Sequence, residues 1–383
     1  MSRPRASLHA SSPRPIRVLC LLAAVGLGAG WSCATTGVDG DGDLNLPTAA
    51  VGPFRKLAAD EVPGIAPFVF DDRTTAYREP AALLEGTDVI LYAVARSGSG
   101  DKAVDVIART RATDGRSFRG TSSDTGGSTT IVLRPTEPWE GSALSGPFAV
   151  RSGSEVLLYY AAAGGIGLAR SSDGGLTFQK APRPVLVRDP SVAWEATEVR
   201  APGVYLLPDG RFRLLYTSGV AIGEAESRDG VAFTRLDAIP STPGIDPVLG
   251  PGAPAAPGTL LPNEKPPFDT ASVADPSPSI RTTPAGRLHV RVLYTGRDPA
   301  GVSTIGFAAR YGEAGPLDRN RSPVYSVGAS EAAPAYAEVP GGAFLYVQQT
   351  RRVDDRLSYS AIAAAFAPGS VKLPAPATYP DTP

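Results

Sequence analysis

The chain has 383 residues, with 37 basic and 38 acidic side chains, a formal net charge of −1, two histidines and two cysteines. No basic stripe with interleaved aromatics appears, which argues against nucleic acid as a partner. So few histidines and cysteines leave no zinc-type cluster and no Ser-His-Asp or Cys-His set, and no cofactor or metal is expected. The 42 glycines and 38 prolines fall at turns between apolar runs, the pattern of turn-rich β structure.

In chain order, Arg3, Arg5, Arg14 and Arg17, with no acid among them, precede an apolar run over 18–29 that is short for a membrane span. Residues 1–33 therefore read as an export signal. Cys33 follows Gly30-Trp31-Ser32 as in a lipobox, although Trp31 and the absence of Leu at position 30 depart from that pattern. It is the one cysteine outside the signal's apolar run and so has no disulfide partner in the mature chain. A lipoprotein anchored to a membrane through Cys33 is the first reading, and a secreted protein cleaved near the same point is the second. Residues 34–60, rich in Gly, Asp and Thr, suit a flexible tether.

From 61 to 368 one unit recurs five times. A proline is followed by a glycine-bearing turn and then by Leu-Tyr: Pro80 to Tyr92, Pro147 to Tyr159, Pro202 to Tyr216, Pro276 to Tyr294 and Pro334 to Tyr346. The Pro-to-Tyr spacing is 12 in the first, second and fifth copies and 14 and 18 in the third and fourth. A period of roughly 50–80 residues with strand chemistry predicts blades. Within each unit the Pro suits the first residue of a strand, since it donates no ladder hydrogen bond. The Leu-Tyr segment is the second strand. Ile-Gly-x-Ala, at Ile166, Ile222 and Ile305, is the third, its glycine marking a bulge or a close approach.

A sharp turn then leads to the fourth strand. Ser171-Ser172-Asp173-Gly174-Gly175-Leu176-Thr177-Phe178 matches the Asp-box pattern, with shorter versions around Asp114 and Asp229, and these aspartates are predicted to be structural. Trp139-Glu140, Trp194-Glu195 and Phe268-Asp269 each begin eight residues before an opening Pro, which places three like connections on one rim. His289 lies in an alternating strand whose Arg291 side is predicted to face solvent. Residues 369–383 are Pro-rich and are expected to be unstructured. The fold class is all-β: a five-bladed β-propeller of four-stranded antiparallel blades.

These motifs resemble the five-bladed β-propeller glycosidases, notably glycoside hydrolase families 43 and 32, over about residues 65–367. The resemblance implies a general base before the first blade's Pro, a second acid at the same place in the second blade and an acid near the third blade's Pro. Here those places hold Glu79, Gly146 and Glu198, the last two residues before Arg200, while Asp275 precedes the fourth blade's Pro. The resemblance thus nominates Glu79 as base or nucleophile and Glu198 as acid, with Asp275 as a third carboxylate and Arg78 and Arg200 as donors to a sugar. Cleavage needs two carboxyls about 5 Å apart for retention or about 6.5–9.5 Å for inversion. Gly146 supplies none. Two functions stay open: an exported, monomeric glycoside hydrolase, and a non-catalytic carbohydrate- or protein-binding surface lipoprotein.

Overall fold

The computed structural model describes residues 37–38, 44–45, 52–57, 68–70, 76–118, 130–195, 197–255, 267–283, 286–328, 330–352 and 358–368, all within the compact unit Thr36–Pro383. The expected export signal with Cys33, most of the expected tether and the Pro-rich segment 369–383 lie outside these residues. Among the described residues no helix is long and apolar enough to cross a membrane.

A small ribbon, β1 (Gly37–Val38) with β2 (Leu44–Asn45), precedes β3 (Arg55–Lys56) and β4 (Phe68–Phe70). Blade one then runs through β5 (Tyr77–Glu85), β6 (Asp88–Ser97), β7 (Val104–Ala112) and β8 (Thr130–Leu133). Blade two is β9 (Ser145–Ser152), β10 (Glu155–Ala162), β11 (Gly165–Ser171) and β12 (Gln179–Lys180). Blade three is β13 (Arg200–Leu206), β14 (Phe212–Ser218), β15 (Ala221–Ser227) and β16 (Thr234–Leu236). Blade four is β17 (Ser272–Thr282), β18 (Leu288–Arg297), β19 (Ser303–Tyr311) and β20 (Asp318–Arg319). Blade five has β21 (Ala332–Val339), β22 (Gly342–Arg352) and β23 (Ser358–Pro368), and its fourth strand is β3 from the amino-terminal side. Neighbouring strands are antiparallel throughout, so the fold is a five-bladed β-propeller.

The pairing of β3 with β23, Lys56 opposite Ala365 and Arg55 opposite Phe366, closes the ring. Arg55–Lys56 falls inside the stretch expected as tether. Its neighbours bury side chains on both sides of blade five: Leu57 packs between blades five and one, and Phe54 between four and five. Each of the five blade interfaces has its own apolar cluster, and burial of these clusters supplies the main stabilisation of the ring.

The Leu-Tyr repeat is real in sequence but splits into two classes in space. Tyr92, Tyr159 and Tyr346 pair with Ala81, Phe148 and Ala335, each the residue after the opening Pro. In blades three and four that place is taken by Leu215 and Leu293, opposite Gly203 and Ser277. Loop length is the cause. Blades one, two and five have two-residue hairpins, pairing Glu85 with Asp88, Ser152 with Glu155 and Val339 with Gly342. Blades three and four pair Leu206 with Phe212 and Thr282 with Leu288, leaving five residues between. An odd change in loop length moves every later side chain to the opposite face.

The first class of tyrosine reaches the next blade's Asp box. Phe178, Phe233 and Phe118 pack edge-on against Tyr92, Tyr159 and Tyr346 at 6.1, 6.1 and 5.8 Å. The Tyr159 and Tyr346 hydroxyls donate to the carbonyls of Gly230 and Gly115. Within those turns Asp173 accepts from the Leu176 and Thr177 N–H groups, Asp229 from Val231 and Ala232, and Asp114 from Arg116 and Ser117. The aspartates are structural, as the sequence predicts.

The second class, Tyr216 and Tyr294, faces the rim connections, as does Tyr160, the residue after Tyr159. Tyr160, Tyr216 and Tyr294 stack on Trp139, Trp194 and Phe268, and donate to Glu140, Glu195 and Asp269 at 2.7, 2.6 and 2.8 Å. Each acid also meets a cation on the outermost strand of its blade: Lys180, Arg235 or Arg319. Gly167, Gly223 and Gly306 are the Ile-Gly-x-Ala glycines. A Cβ there would lie 2.6, 2.3 and 2.4 Å from ring atoms of these aromatics, so the glycines make room for the stack. Burial alone would raise Glu140 and Glu195. Hydrogen bonds from Lys180 or Arg235, from backbone N–H groups and from the tyrosines outweigh it, and both carboxyls end below their usual range.

One expectation fails in blade four. Arg291 is 1% exposed, so its side of the strand is interior, and His289 is half-buried and stacks on Tyr311 at 4.6 Å. Arg291 lies against the Tyr336 ring and near Glu338, partners that come from blade five and were invisible to strand alternation.

Candidate functional site at the propeller axis

Five residues, each immediately before an opening Pro, adopt left-handed backbone: Glu79 (φ 51°), Gly146 (49°), Ala201 (47°), Asp275 (52°) and Ala333 (48°). Pro disfavours the right-handed helical region for the residue before it. In every blade the ladder register also shifts across this pair, so it forms a bulge that bends the innermost strand around the axis. Four of the five bulged N–H groups are held by the preceding blade. Glu79 donates to Gln348 Oε1 (3.1 Å), Asp275 to Thr217 Oγ1 (3.0 Å), Ala333 to Thr295 Oγ1 (2.9 Å) and Gly146 to Glu79 Oε2 (2.5 Å).

Because the feature is fivefold, the strained backbone is architectural. The side chains it carries are what distinguish the blades. At Gly146 a Cβ would sit 2.8 Å from Ala201 Cα, so the glycine is required by the close approach of blade three. Gly203 is similarly tight, its Cβ position 2.3 Å from the Pro276 carbonyl oxygen.

Two sequence-nominated carboxyls converge here, and Arg78 and Arg200 are ion-paired to them. Glu79, Asp275 and the five prolines line a cavity of about 30 Å³ on the axis, room for about two waters. Arg78 bridges Glu79 (3.6 Å) and Asp105 (2.5 Å), and Arg96 reaches Asp105 from outside (3.2 Å). Arg200 bridges Asp275 (3.3 Å) and Glu198 (3.6 Å). The Glu198 side chain is 63% exposed, against 29% for Glu79 and 19% for Asp275, and it does not line the axial cavity. Burial pushes the Glu79 carboxyl up, against the Gly146 N–H and Arg78. Asp275 pushes it further up and Arg200 pulls it down, so the two carboxyls sense each other across the axis.

Sequence reasoning missed Asp105, Thr217, Thr295 and Gln348. The two threonines each follow a tyrosine of the second class, a Tyr-Thr repeat readable in the chain. Gln348 holds the same register place in blade five, opposite the residue two before the opening Pro, but it does not follow a tyrosine, and Asp105 sits at no repeated offset. Among the described residues no group of three or more His, Cys, Asp or Glu could hold a metal ion.

Below the ring the channel widens into a vestibule of about 310 Å³ between the innermost strands, lined by Phe148, Tyr205, Ile280 and Tyr336, with Arg151 among its polar residues.

A closed ring of five four-stranded blades with an axial cavity at the strand-opening prolines defines a five-bladed β-propeller. The solved structures it resembles include a putative glycosidase from Bacteroides thetaiotaomicron VPI-5482, at 15% identity and a TM-score of 0.55 over 81% of this chain and 96% of that one. A putative glycoside hydrolase from Bacteroides ovatus ATCC 8483 matches at 12% identity and a TM-score of 0.56, covering 85% and 99%. A thermostable family-43 glycoside hydrolase matches at 14% identity and a TM-score of 0.52, covering 84% and 100%. At these identities the likeness is one of fold. No family model and no curated protein matches the chain.

Proposed function

We propose that the chain is an exported, lipid-anchored propeller that binds carbohydrate at its axial ring. Glu79 and Asp275 accept, and Arg78 and Arg200 donate, hydrogen bonds to sugar hydroxyls. Export and the anchor at Cys33 rest on the amino-terminal sequence. The observation that carries the binding reading is the convergence of the Glu79 and Asp275 carboxyls on the axial cavity, with Arg78 and Arg200 ion-paired to them. Binding is preferred to cleavage because the cavity between Glu79 and Asp275 takes about two waters, and one Glu79 oxygen already accepts the Gly146 N–H. A sugar ring therefore rests on this surface and does not pass between the carboxyls.

Hydrolysis is the second reading. One observation favours it: burial raises Glu79, which keeps a proton available for a leaving oxygen, with Asp275 or Glu198 as the second carboxyl.

A glycan panel scored for both retention and new reducing ends separates the two, using the wild-type chain, Glu79→Gln, Asp275→Asn and Glu198→Gln. The binding reading expects retention without cleavage, weakened about tenfold in Glu79→Gln and Asp275→Asn, the loss of roughly one charged hydrogen bond. Cleavage abolished by Glu79→Gln would establish the hydrolase. If no glycan is retained or cut, both readings fall.

A further inference from the structure

The five innermost strands, β5, β9, β13, β17 and β21, each pair on one side only, so their other edges turn backbone N–H and C=O groups toward the channel. The vestibule between them has a volume of about 310 Å³, at the low end of the range of small-ligand sites, about 300–1,000 Å³. Its side-chain wall is apolar. Phe148, Ile280 and Tyr336 are half-buried and line it beside Tyr205. The Tyr205 hydroxyl donates to Glu224 (2.7 Å) and the Tyr336 hydroxyl to Glu338 (3.3 Å), so both tyrosines offer the cavity ring carbon. Aromatic ligands pack against such rings stacked or edge-on, at centroid separations of about 4.5–7 Å.

Among the described residues the lining holds one charge, Arg151. It precedes Ser152 of the β9–β10 hairpin, so the charge stands at the end of the vestibule away from the prolines. Its partner Glu85, from blade one (3.2 Å), also holds Arg111 (3.3 Å), which binds Asp88 as well. Arg109 borders the same group. It is 7% exposed and donates to the Gly174 carbonyl (3.4 Å), and a Cβ on Gly174 would lie 3.4 Å from Glu85 Oε1. Among the described residues no carboxylate pairs with Arg109, and its buried Nε has no hydrogen-bond partner. Asp173, the acid of that turn, is taken up by Ser171, Leu176 and Thr177. The cluster therefore sets three guanidiniums against two carboxylates. It is one negative charge short, and Arg151 is the member that reaches the cavity.

We propose that the vestibule binds a small aromatic carboxylate, a single ring with a short acid arm. The ring packs against Phe148 and Tyr336, and the carboxylate sits on the Arg151 guanidinium, supplying the charge the cluster lacks. This site is separate from the axial ring, and the proposal does not depend on what that ring binds.

The test titrates phenylacetate, phenylacetamide, hexanoate and glucuronate onto the full chain by isothermal calorimetry, using wild type, Arg151→Gln, Arg151→Lys and Tyr336→Leu. Thermal melts establish that each variant is folded. Saturable phenylacetate binding, at least tenfold tighter than that of the other three probes, is the expected result. Arg151→Gln should weaken it at least tenfold, the loss of about one charge-assisted hydrogen bond. Arg151→Lys, which keeps the charge, should restore part of the affinity, and Tyr336→Leu should weaken phenylacetate by removing the ring contact. The proposal is overturned if the wild type shows no saturable phenylacetate binding at millimolar concentration, or if Arg151→Gln leaves the affinity unchanged. Amide held as tightly as the acid removes the role of the charge, and hexanoate or glucuronate held as tightly removes the aromatic class.

Discussion

Position 146 shows how a missing acid can be a packing requirement. Its glycine combines a φ of 49° with a Cβ position 2.8 Å from Ala201 Cα. Gly146→Ala should destabilise the chain by at least about 2 kcal/mol, from left-handed strain and overpacking together. Ala333→Gly at the equivalent place should leave stability unchanged or up to about 1 kcal/mol higher, because relief of strain is offset by the freer unfolded chain. Chemical denaturation of the two variants checks the contrast. Glu79 makes a pH prediction. Its folded pKa is raised by burial, so the folded chain holds the proton more tightly than the unfolded one. Its contribution to stability is full below the unfolded value of about 4.3 and is lost as pH rises through the folded value. Glu79→Gln should therefore gain stability relative to wild type as pH rises above about 4.3; denaturation midpoints of the two chains that run parallel as pH rises from there would refute the burial argument. The acidic residues at 79 and 275 were legible in the sequence because they precede repeated prolines. Their left-handed backbone was not, since a residue before Pro is ordinarily extended.

Among elements, the rim stack and its ion pair form the repeated unit of stability. Glu195 is 1% exposed and bound by Tyr216 and Arg235. Glu195→Gln leaves Arg235 short of its charge partner and should cost about 3–5 kcal/mol by thermal or urea unfolding. Because the folded pKa of Glu195 lies below the unfolded one, the stability it gives is present above about pH 4.3 and is lost as pH falls through the folded value. The variant should flatten that acid limb. Gly223→Ala presses a Cβ to 2.3 Å from the Trp194 ring and should cost about 1–3 kcal/mol. The aromatic-acid connections could be read from their fixed offset, as could the strand glycines, whose purpose only the stack explains. Tyrosine register could not be read from Pro-to-Tyr spacing, because all the spacings are even. The informative quantity is hairpin length, two residues against five, which becomes visible only with the strand pairs.

At the scale of the whole molecule, five copies of one strand pattern were enough to specify a propeller, but the way it closes was not contained in the repeat. The fourth strand of blade five comes from β3, a two-residue strand in a Gly- and Asp-rich stretch with no periodicity of its own. Closure depends on burial beside it. Leu57 is 1% exposed, its N–H donates to the Ala364 carbonyl, and Leu57→Ala should cost about 2–5 kcal/mol despite its distance in sequence from the first complete blade. Circular dichroism melts would register that loss as a lower midpoint for the whole ring if the blades unfold together. Closure also sets the axis, and with it the meeting of blades one and four at Glu79 and Asp275. The most direct test of carbohydrate binding at that axis is a crystal structure of the chain with the best-retained glycan of the panel. The account predicts sugar hydroxyls within about 3.2 Å of the carboxyl oxygens of Glu79 or Asp275 and of the Arg200 guanidinium. A glycan bound in the vestibule or on the outer rim, with the axial ring untouched, would contradict it.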